Sequence, residues 1–429
     1  MITFISSFLY TIFEVFFGKS FSKEGFITYA RNTQWLTILK FVTMVFSLVT
    51  TMIVARILGP ETFGTLNYVL SVVGLFAVIA NLGVSTVTYR ELVANKENRK
   101  EILGSAIALT LITGGISIFL ILASFFFLHE PAHIKVLILV MSLSFLTQPL
   151  TLLSIDFLKD SEAKYTTIAQ LITSFISSTL KILVIFLYSS ILYFIIILVT
   201  ENIIAGIIYL YQMKKIKGRS IYFTVSKKQI LVILSSSLPL TLTFAFSEIY
   251  YRIDQIMLKH YIDTTAVGLY SAAARLTEVW YLIPNILITA LFPALVNSSL
   301  HSEKEYQKRF NVLALTLLLV SLCISIFTSL FSKTLISIIY GNDFIEAAHI
   351  LSVYIFSLLG SFISLLLLQD LFLKNKKWLV ILLPASTSVL NIVLNIFLIP
   401  SYGTIGAALA TVISYSMVPV LFYLLKKSP

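Results

Sequence analysis

Long apolar runs recur along the chain at nearly regular intervals. Twelve of them lie at about residues 36–57, 64–88, 102–128, 134–157, 165–188, 191–213, 229–258, 265–297, 310–332, 346–373, 378–399 and 403–425. Each is long enough to span, since a helix needs about 20 residues to cross the hydrocarbon core. They are continuous rather than alternating with the two-residue period of a barrel strand. The pattern predicts an all-α integral membrane protein with twelve transmembrane helices. Before the first run, "MITFISSFLYTIFEVFFGKSF" offers only about 13 mostly apolar residues ahead of Glu14, too few for a span. It has no basic leader or small-x-small cleavage site, so residues 1–33 are expected to lie on the cytoplasmic interface as an aromatic-rich segment.

Composition agrees. Of 429 residues, 58% are hydrophobic and 12% are charged, with mean hydropathy +0.95. A soluble domain carries about 25% charged residues, so most of this surface faces something other than water. A net charge of +11 could suggest nucleic acid, but the basic residues sit in short clusters between spans. With the N-terminus inside, the inside segments hold 23 lysines and arginines, and the outside segments hold Arg56, Lys135, Lys259 and Lys333. This is the positive-inside pattern of a cytoplasmic membrane protein with both termini inside. Trp35 and Trp378 fall at inside boundaries, as interfacial anchors do. Cys323 stands alone, and five scattered histidines lack metal-ligand context, so no cofactor is expected.

The longest inside loop, "KKIKGRSIYFTVSKK" at 214–228, divides the chain in half. This predicts bundles at 34–213 and 229–425, a basic linker at 214–228 and a cytoplasmic tail at 426–429. The halves echo each other: Gly64 and Gly268 open corresponding helices, and "FLK" recurs at Phe157–Lys159 and Phe372–Lys374. Two related six-helix bundles with a substrate between them is a common transporter plan. The largest outside loop, about Lys333–Ile345, is too short for a catalytic domain. Prolines 149, 239, 284, 293, 384 and 419 predict kinks. Asp156, Asp160, Glu162 and Asp370, near lysines at inside ends, are expected to be ordinary solvated charges.

Charges inside spans are expensive, at about 2.5–3.5 kcal/mol each near the centre, and should face a bundle interior or a wet cavity. The basic ones are Lys40, Lys181, Arg252 and Arg275, and the acidic ones include Glu201, Glu248, Asp254 and Glu278. Glu248, Arg252 and Gln255 form one helical stripe in the seventh span, widened by Ser247, Tyr250, Tyr251 and Asp254. Ile249, Ile253, Ile256 and Met257 are expected on the lipid side. Ser271, Arg275, Glu278 and Asn285 form a stripe on the eighth span. Spacings of i,i+4 and i,i+3 allow Glu248–Arg252 and Arg275–Glu278 simply to neutralise each other. Arginine is also the side chain best suited to phosphate.

"RILGPETFGTLNY", "DQIMLKHYIDTTAVGLYSAAARLTE", "YGNDFIEAAHILSVY" and "YGTIGAALATVISY", in that order, resemble the motifs of polysaccharide transporters of the MOP (multidrug/oligosaccharidyl-lipid/polysaccharide) exporter superfamily over about residues 33–425. The nearest type is the O-antigen or capsule repeat-unit flippase (Wzx type). The resemblance implies a V-shaped, MATE-like pair of pseudo-symmetric six-helix bundles in the bacterial inner membrane, flipping an undecaprenyl-pyrophosphate-linked oligosaccharide by alternating access, without enzymatic activity. It implies that Arg275, Arg252, Lys181 and Lys40 line a central cavity and hold the pyrophosphate or sugar. Glu248, Glu278, Asp254 and Glu201 then serve ion coupling or cavity pairing, with a proton or sodium ion as driver, and Asp254 matches a carboxylate that can be structural. Membrane lipids and polymerase or chain-length proteins are the other expected partners, and nucleic acid is not one. Twelve spans argue against the lipid II flippase branch, which usually has fourteen. The alternatives are a cation-coupled drug exporter of the same fold, which favours carboxylates in its cavity, and a membrane polymerase or glycosyltransferase, which needs a large outside loop.

Overall fold

A segment in lipid must satisfy its backbone hydrogen bonds internally, and a helix is how a single segment does so. The computed structural model describes residues 23–127, 130–160, 162–219 and 222–426; these form helices joined by short turns, with no strand among them. The segment before Lys23 lies outside the described residues, as do the side chains up to Lys40.

Among the described residues, seven helices are long and apolar enough to cross a membrane, or ten when each bent pair counts once. Two of the seven, Phe41–Ala94 and Trp378–Phe422, run for 54 and 45 residues, about 80 and 70 Å at 1.5 Å per residue. Both fold back at a glycine with positive φ, Gly59 (72°) and Gly403 (60°), a conformation glycine adopts without steric cost. Thr43 and Leu70, on either side of Gly59, accordingly line one cavity. Asn395 and Thr411, on either side of Gly403, bond one carboxylate. Taking each as two spans is consistent with the expected twelve.

The spans are α1 (23–58), α2 (60–94), α3 (Arg99–Ser124), α4 (Ala132–Leu158), α5 (Ala163–Tyr188) and α6 (Ile191–Ile216). The second half has α7 (Lys227–Tyr261), α8 (264–301), α9 (Glu303–Leu330), α10 (347–373), α11 (377–402) and α12 (404–426). The helix of α1 begins at Lys23, inside the segment expected at the interface. Side-chain caps start α7, α8 and α9: Ser226 accepts from the Gln229 N–H, Asp263 from Ala266 and Ser302 from Glu305. The helix bends of 54° in α7 and 42° in α8 fall at prolines 239 and 293. Pro149 lies in a 3-10 turn of α4, and another 3-10 turn, Val279–Tyr281, ends just ahead of Pro284. At Pro384 and Pro419 the backbone keeps helical dihedrals, and the non-helical backbone from 377 to 426 is at Gly403.

The largest buried cluster belongs to neither bundle. It joins Val54, Phe63 and Val69 of the first half to Leu258, Val267, Phe344 and Leu351 of the second, at the end of the molecule carrying Gly59 and Gly403. Here Gly64 and Gly268, equivalent in the sequence echo, meet each other. An added Cβ on Gly64 would lie 1.7 Å from the Thr264 carbonyl oxygen, and one on Gly268 would lie 2.0 Å from that of Pro60. Lys259 of α7 pairs with Glu130 from the α3–α4 turn, which also accepts from the Tyr68 hydroxyl at 2.9 Å. Arg56 of α1 donates to the carbonyls of Ser337 and Ile338 in the second half. This end is closed.

Towards the other end the two flanks differ. Beyond Glu278, α8 packs chiefly on α9 and α10. By contrast, α7 stays against α2 and α3, with Ile233 among Val84, Val87 and Leu103 and the Thr241 hydroxyl 3.1 Å from the Leu82 carbonyl. The helix faces turned away from the bundle carry exposed Phe119, Phe186, Ile207, Leu315 and Phe397, as hydrocarbon contact requires. Ile256 and Met257, expected towards lipid, pack instead on the junction cluster. An apolar helix face fits protein and lipid equally well, so periodicity did not separate them.

Asp156 and Asp370 also depart from expectation. They are buried, not solvated. Asp156 accepts from Arg99 of α3 at 2.6 Å, from Arg219 at 2.9 Å and pairs with Lys159 at 3.3 Å. Asp370 accepts from the Tyr306 hydroxyl of α9 and pairs with Lys374 at 2.8 Å. Positions one residue out of register in the two halves thus bear the same device, a buried carboxylate tying the fourth helix of a bundle to its third. Arg219 also bonds Asp160 and Glu162, at 2.9 and 3.0 Å. Thr224 N–H donates to the Lys100 carbonyl at 3.3 Å, and Phe223 packs into first-half clusters. The basic linker is therefore docked on the first bundle. The Lys217 ammonium has its pKa raised by its hydrogen bond to Glu162, so it stays charged there.

Candidate functional site: a cleft of paired charges between the halves

Two cavities meet at Arg275. The larger, about 540 Å³, is walled by α1 (Thr43, Ser47, Thr50), α2 (Asn67), α5 (Lys181) and α6 (Glu201), with Arg275 reaching in from α8. The smaller, about 160 Å³, is walled by Glu248, Arg252 and Gln255 of α7 and Ser271, Arg275 and Glu278 of α8. The charged part of each stripe therefore faces one void, whereas Asn285 of the eighth span and Ser247 and Tyr250 of the seventh line a separate cavity. Helix α2 covers the α7 stripe: the Ser71 hydroxyl donates to Gln255 Oε1, and an added Cβ on Gly74 would lie 2.8 Å from Arg252 Nε.

Every described cation of the cleft already has an acid. Arg252 Nε lies 3.3 Å from Glu248 Oε2, and Arg275 lies 3.2 Å from Glu278 Oε2. Lys181 pairs with Glu201, which also accepts from Ser177, and its ammonium sits 5.4 Å from the Phe194 ring centre. The pairs differ in cover. Side-chain exposure is 42% for Arg275 and 29% for Arg252, but 11% for Lys181. Both arginine pairs are part-buried and each lies within one helix, at i,i+4 and i,i+3 spacing, so exchanging carboxylate for another anion costs them less than it costs the better covered Lys181. Lys181, desolvated and held on three sides, gives up its partner at greater cost. The side chain of Lys40 lies outside the described residues.

Asp254 lines neither cavity. Two residues from Arg252, it points into the second bundle, 4% exposed, and accepts from Tyr270, from Thr411 at 2.8 Å and from Asn395. Asn391 Nδ2 and Asn395 Oδ1 beside it have no partner. No basic side chain bonds Asp254 among the described residues, so its charge is met by hydroxyls and an amide. Such an oxygen-rich set suits a proton or a small hard cation. No group of three or more His, Cys, Asp or Glu fit for a metal occurs among the described residues. Sequence reasoning missed Asn391, Asn395, Thr411 and Tyr270. Asn391 and Asn395, an i,i+4 pair of amides inside an apolar span, were the available signal.

A broken-helix, two-bundle architecture with a polar cleft between its halves defines a multi-pass transporter of the MOP type. The chain belongs to the polysaccharide biosynthesis protein family, whose model matches residues 29–299. The lipid II flippase MurJ model matches residues 182–429 as well, a likeness the span count had argued against. A curated relative, the probable low-salt glycan biosynthesis flippase Agl15 of Haloferax volcanii, is 25% identical over 175 residues, 40% of this chain. The match spans 37% of that relative's length. Among solved structures, a lipid II flippase MurJ in an inward closed conformation superposes with a TM-score of 0.72 at 19% identity, covering 91% of this chain and 87% of that one. An inward-facing multidrug resistance MATE family transporter superposes with a TM-score of 0.71 at 14% identity, covering 92% and 100%. At these identities the structures establish the shared fold.

Proposed function

We propose that the protein flips a polyprenyl-diphosphate-linked oligosaccharide, of the kind that supplies O antigen or capsule, from the cytoplasmic to the outer leaflet. The observation that carries this reading is the position of Arg275: a guanidinium from one half forms the wall of a polar cavity in the other. An anion seated there binds both halves at once. The basic loops support an orientation with the closed end outside, and on that reading the cleft is in its cytoplasm-facing state. The flank where α8 leaves the first bundle gives the lipid tail a way to stay in the membrane while the headgroup enters. Arg252 and Arg275 release Glu248 and Glu278 and take phosphate oxygens by their planar forks. Rocking of the halves then opens the other end.

Lys181 with Glu201, and Lys40 nearer the cytoplasm, hold the outer reaches of the headgroup. Asp254 with Thr411 and the two asparagines takes the driving proton or sodium ion inside the second bundle. The one-to-one pairs leave the cleft without a charge bias, and the flippase relatives, with the fork geometry of two arginines, are what favour an anionic headgroup over a cationic drug.

The test is transport in proteoliposomes of an undecaprenyl-diphosphate-linked oligosaccharide with a fluorescent tag, read by its exposure to an impermeant quencher. Arg275→Ala is expected to slow transport at least tenfold with unchanged folding, and Arg275→Lys to retain part of the rate. Wild-type rates from Arg275→Ala sink the assignment.

A further inference from the structure

Beside the charged cleft, and sharing Tyr251 with it, the second bundle holds a third cavity of about 170 Å³. Its lining comes from α7, α8, α10, α11 and α12, and nine of the fourteen lining residues carry a hydroxyl or amide. Four are tyrosines. Tyr250 stands edge-on to Tyr415, with ring centres 4.5 Å apart, and to Tyr251 at 5.7 Å. The rings are therefore fixed against each other, presenting aromatic wall rather than flexible side chains.

The polar groups have a particular bias. Ser364 and Thr387 donate their hydroxyl hydrogens back to the Gly360 and Leu383 carbonyls of their own helices, at 2.7 and 2.8 Å. Their oxygen lone pairs are left over as acceptors. The Tyr250 hydroxyl, on a residue only 6% exposed, has no partner. A buried hydroxyl without a hydrogen bond costs about 1–3 kcal/mol, which a ligand with both donor and acceptor groups recovers. A hydrocarbon tail recovers none of it.

We propose that this cavity is a subsite for one pyranose ring of the passenger, placed next to the diphosphate held by Arg252 and Arg275. Aromatic rings cover the C–H face of the sugar, Tyr250 bonds a ring hydroxyl, and Ser364 and Thr387 accept from others. The inference rests on the flippase reading above. It adds that the second bundle alone reads the sugar adjoining the phosphate, while the large cavity, walled mainly by the first bundle, holds the remainder.

The experiment is equilibrium binding to full-length protein in detergent. The probes are undecaprenyl alcohol, undecaprenyl diphosphate, and undecaprenyl diphosphate carrying a single glucose, galactose or N-acetylglucosamine. Wild type is expected to bind at least one sugar-bearing lipid about tenfold more tightly than bare diphosphate. The cavity-filling Ser364→Leu and the milder Tyr250→Phe should erase that gain and leave bare diphosphate binding unchanged. Agreement of the two variants separates a lost subsite from a damaged fold. Equal affinity of wild type for bare and sugar-bearing lipids overturns the subsite while leaving the flippase reading intact. Failure of wild type to prefer diphosphate over alcohol overturns the reading beneath it. Loss of alcohol binding in Ser364→Leu makes the cavity a tail site and ends the proposal.

Discussion

Arg252 and Asp254 stand two residues apart on α7, and the protein treats their charges in opposite ways. Arg252 looks into the cleft, partly exposed, against one acid of its own helix. Asp254 looks into the second bundle, nearly sealed, against side chains from α8, α11 and α12. The first arrangement is cheap to undo and is therefore fit to exchange partners during transport. The second is expensive to undo and ties three helices together. Charge at membrane depth thus does two jobs, and the environment of each group tells them apart where its cost of insertion does not.

The most severe way to break that contrast is Asp254→Ala. It removes the carboxylate that Tyr270, Thr411 and Asn395 share and leaves them only their second acceptors, Thr411 Oγ1, the Ala407 carbonyl and Asn391 Oδ1, at about 1.5–3 kcal/mol for each bond to a charged group that is lost. The expected result is a large fall in melting temperature of the detergent-solubilised protein and little protein in the membrane. Asp254→Asn keeps an acceptor and is expected to fold, with loss of any stabilisation by sodium ions or by lowered pH. An Asp254→Ala protein as stable as wild type removes the structural half of the argument.

A smaller effect sharpens the other half. If Glu278 only occupies Arg275 until an anion arrives, Glu278→Gln lightens the competition. Undecaprenyl diphosphate should then bind a few times more tightly, in line with the ~0.3–0.5 kcal/mol of such a pair plus the relief of like charge. Weaker binding in Glu278→Gln shows instead that the acid orients the guanidinium, and the exchange picture fails.

Much of this was legible in the residues. Apolar runs yielded the all-helical membrane fold, because lipid leaves a segment few choices. Helical periodicity put Glu248, Arg252 and Gln255 on one face, and geometry places all three on the small cavity. What periodicity lacked was the identity of the neighbour. It grouped Asp254 and Tyr250 with the wet face, when both enter the second bundle, and assigned Ile256 and Met257 to lipid, when both meet the other half. Asp156 was misread for a related reason: its partners Arg99 and Arg219 lie 57 and 63 residues away in the chain. The Gly64–Gly268 meeting was half visible, since the two were recognised as equivalent without any sign that they touch.

Lys259–Glu130 is a third kind of pair. It is well covered, as Asp254 is, yet it crosses the halves and must part whenever the closed end opens. Its side chains are 21% and 8% exposed, with Tyr68 bonded to the same carboxylate, so it should favour the closed state by more than a cleft pair does. It need not contribute much, since the glycine contact and the apolar cluster hold the same junction. Lys259→Ala is therefore expected to shift the population modestly, about two- to fivefold towards the outward-open form. Labelling from outside intact cells of a cysteine placed at Ala347, buried in the same junction, in a Cys323→Ser background, by an impermeant maleimide reads that shift directly. Glu130→Gln should act in the same direction, and the double variant should do little more than either alone, because each removes the same contact. Full additivity instead makes the two residues independent, and the closed end is then held by its apolar packing without an ionic latch.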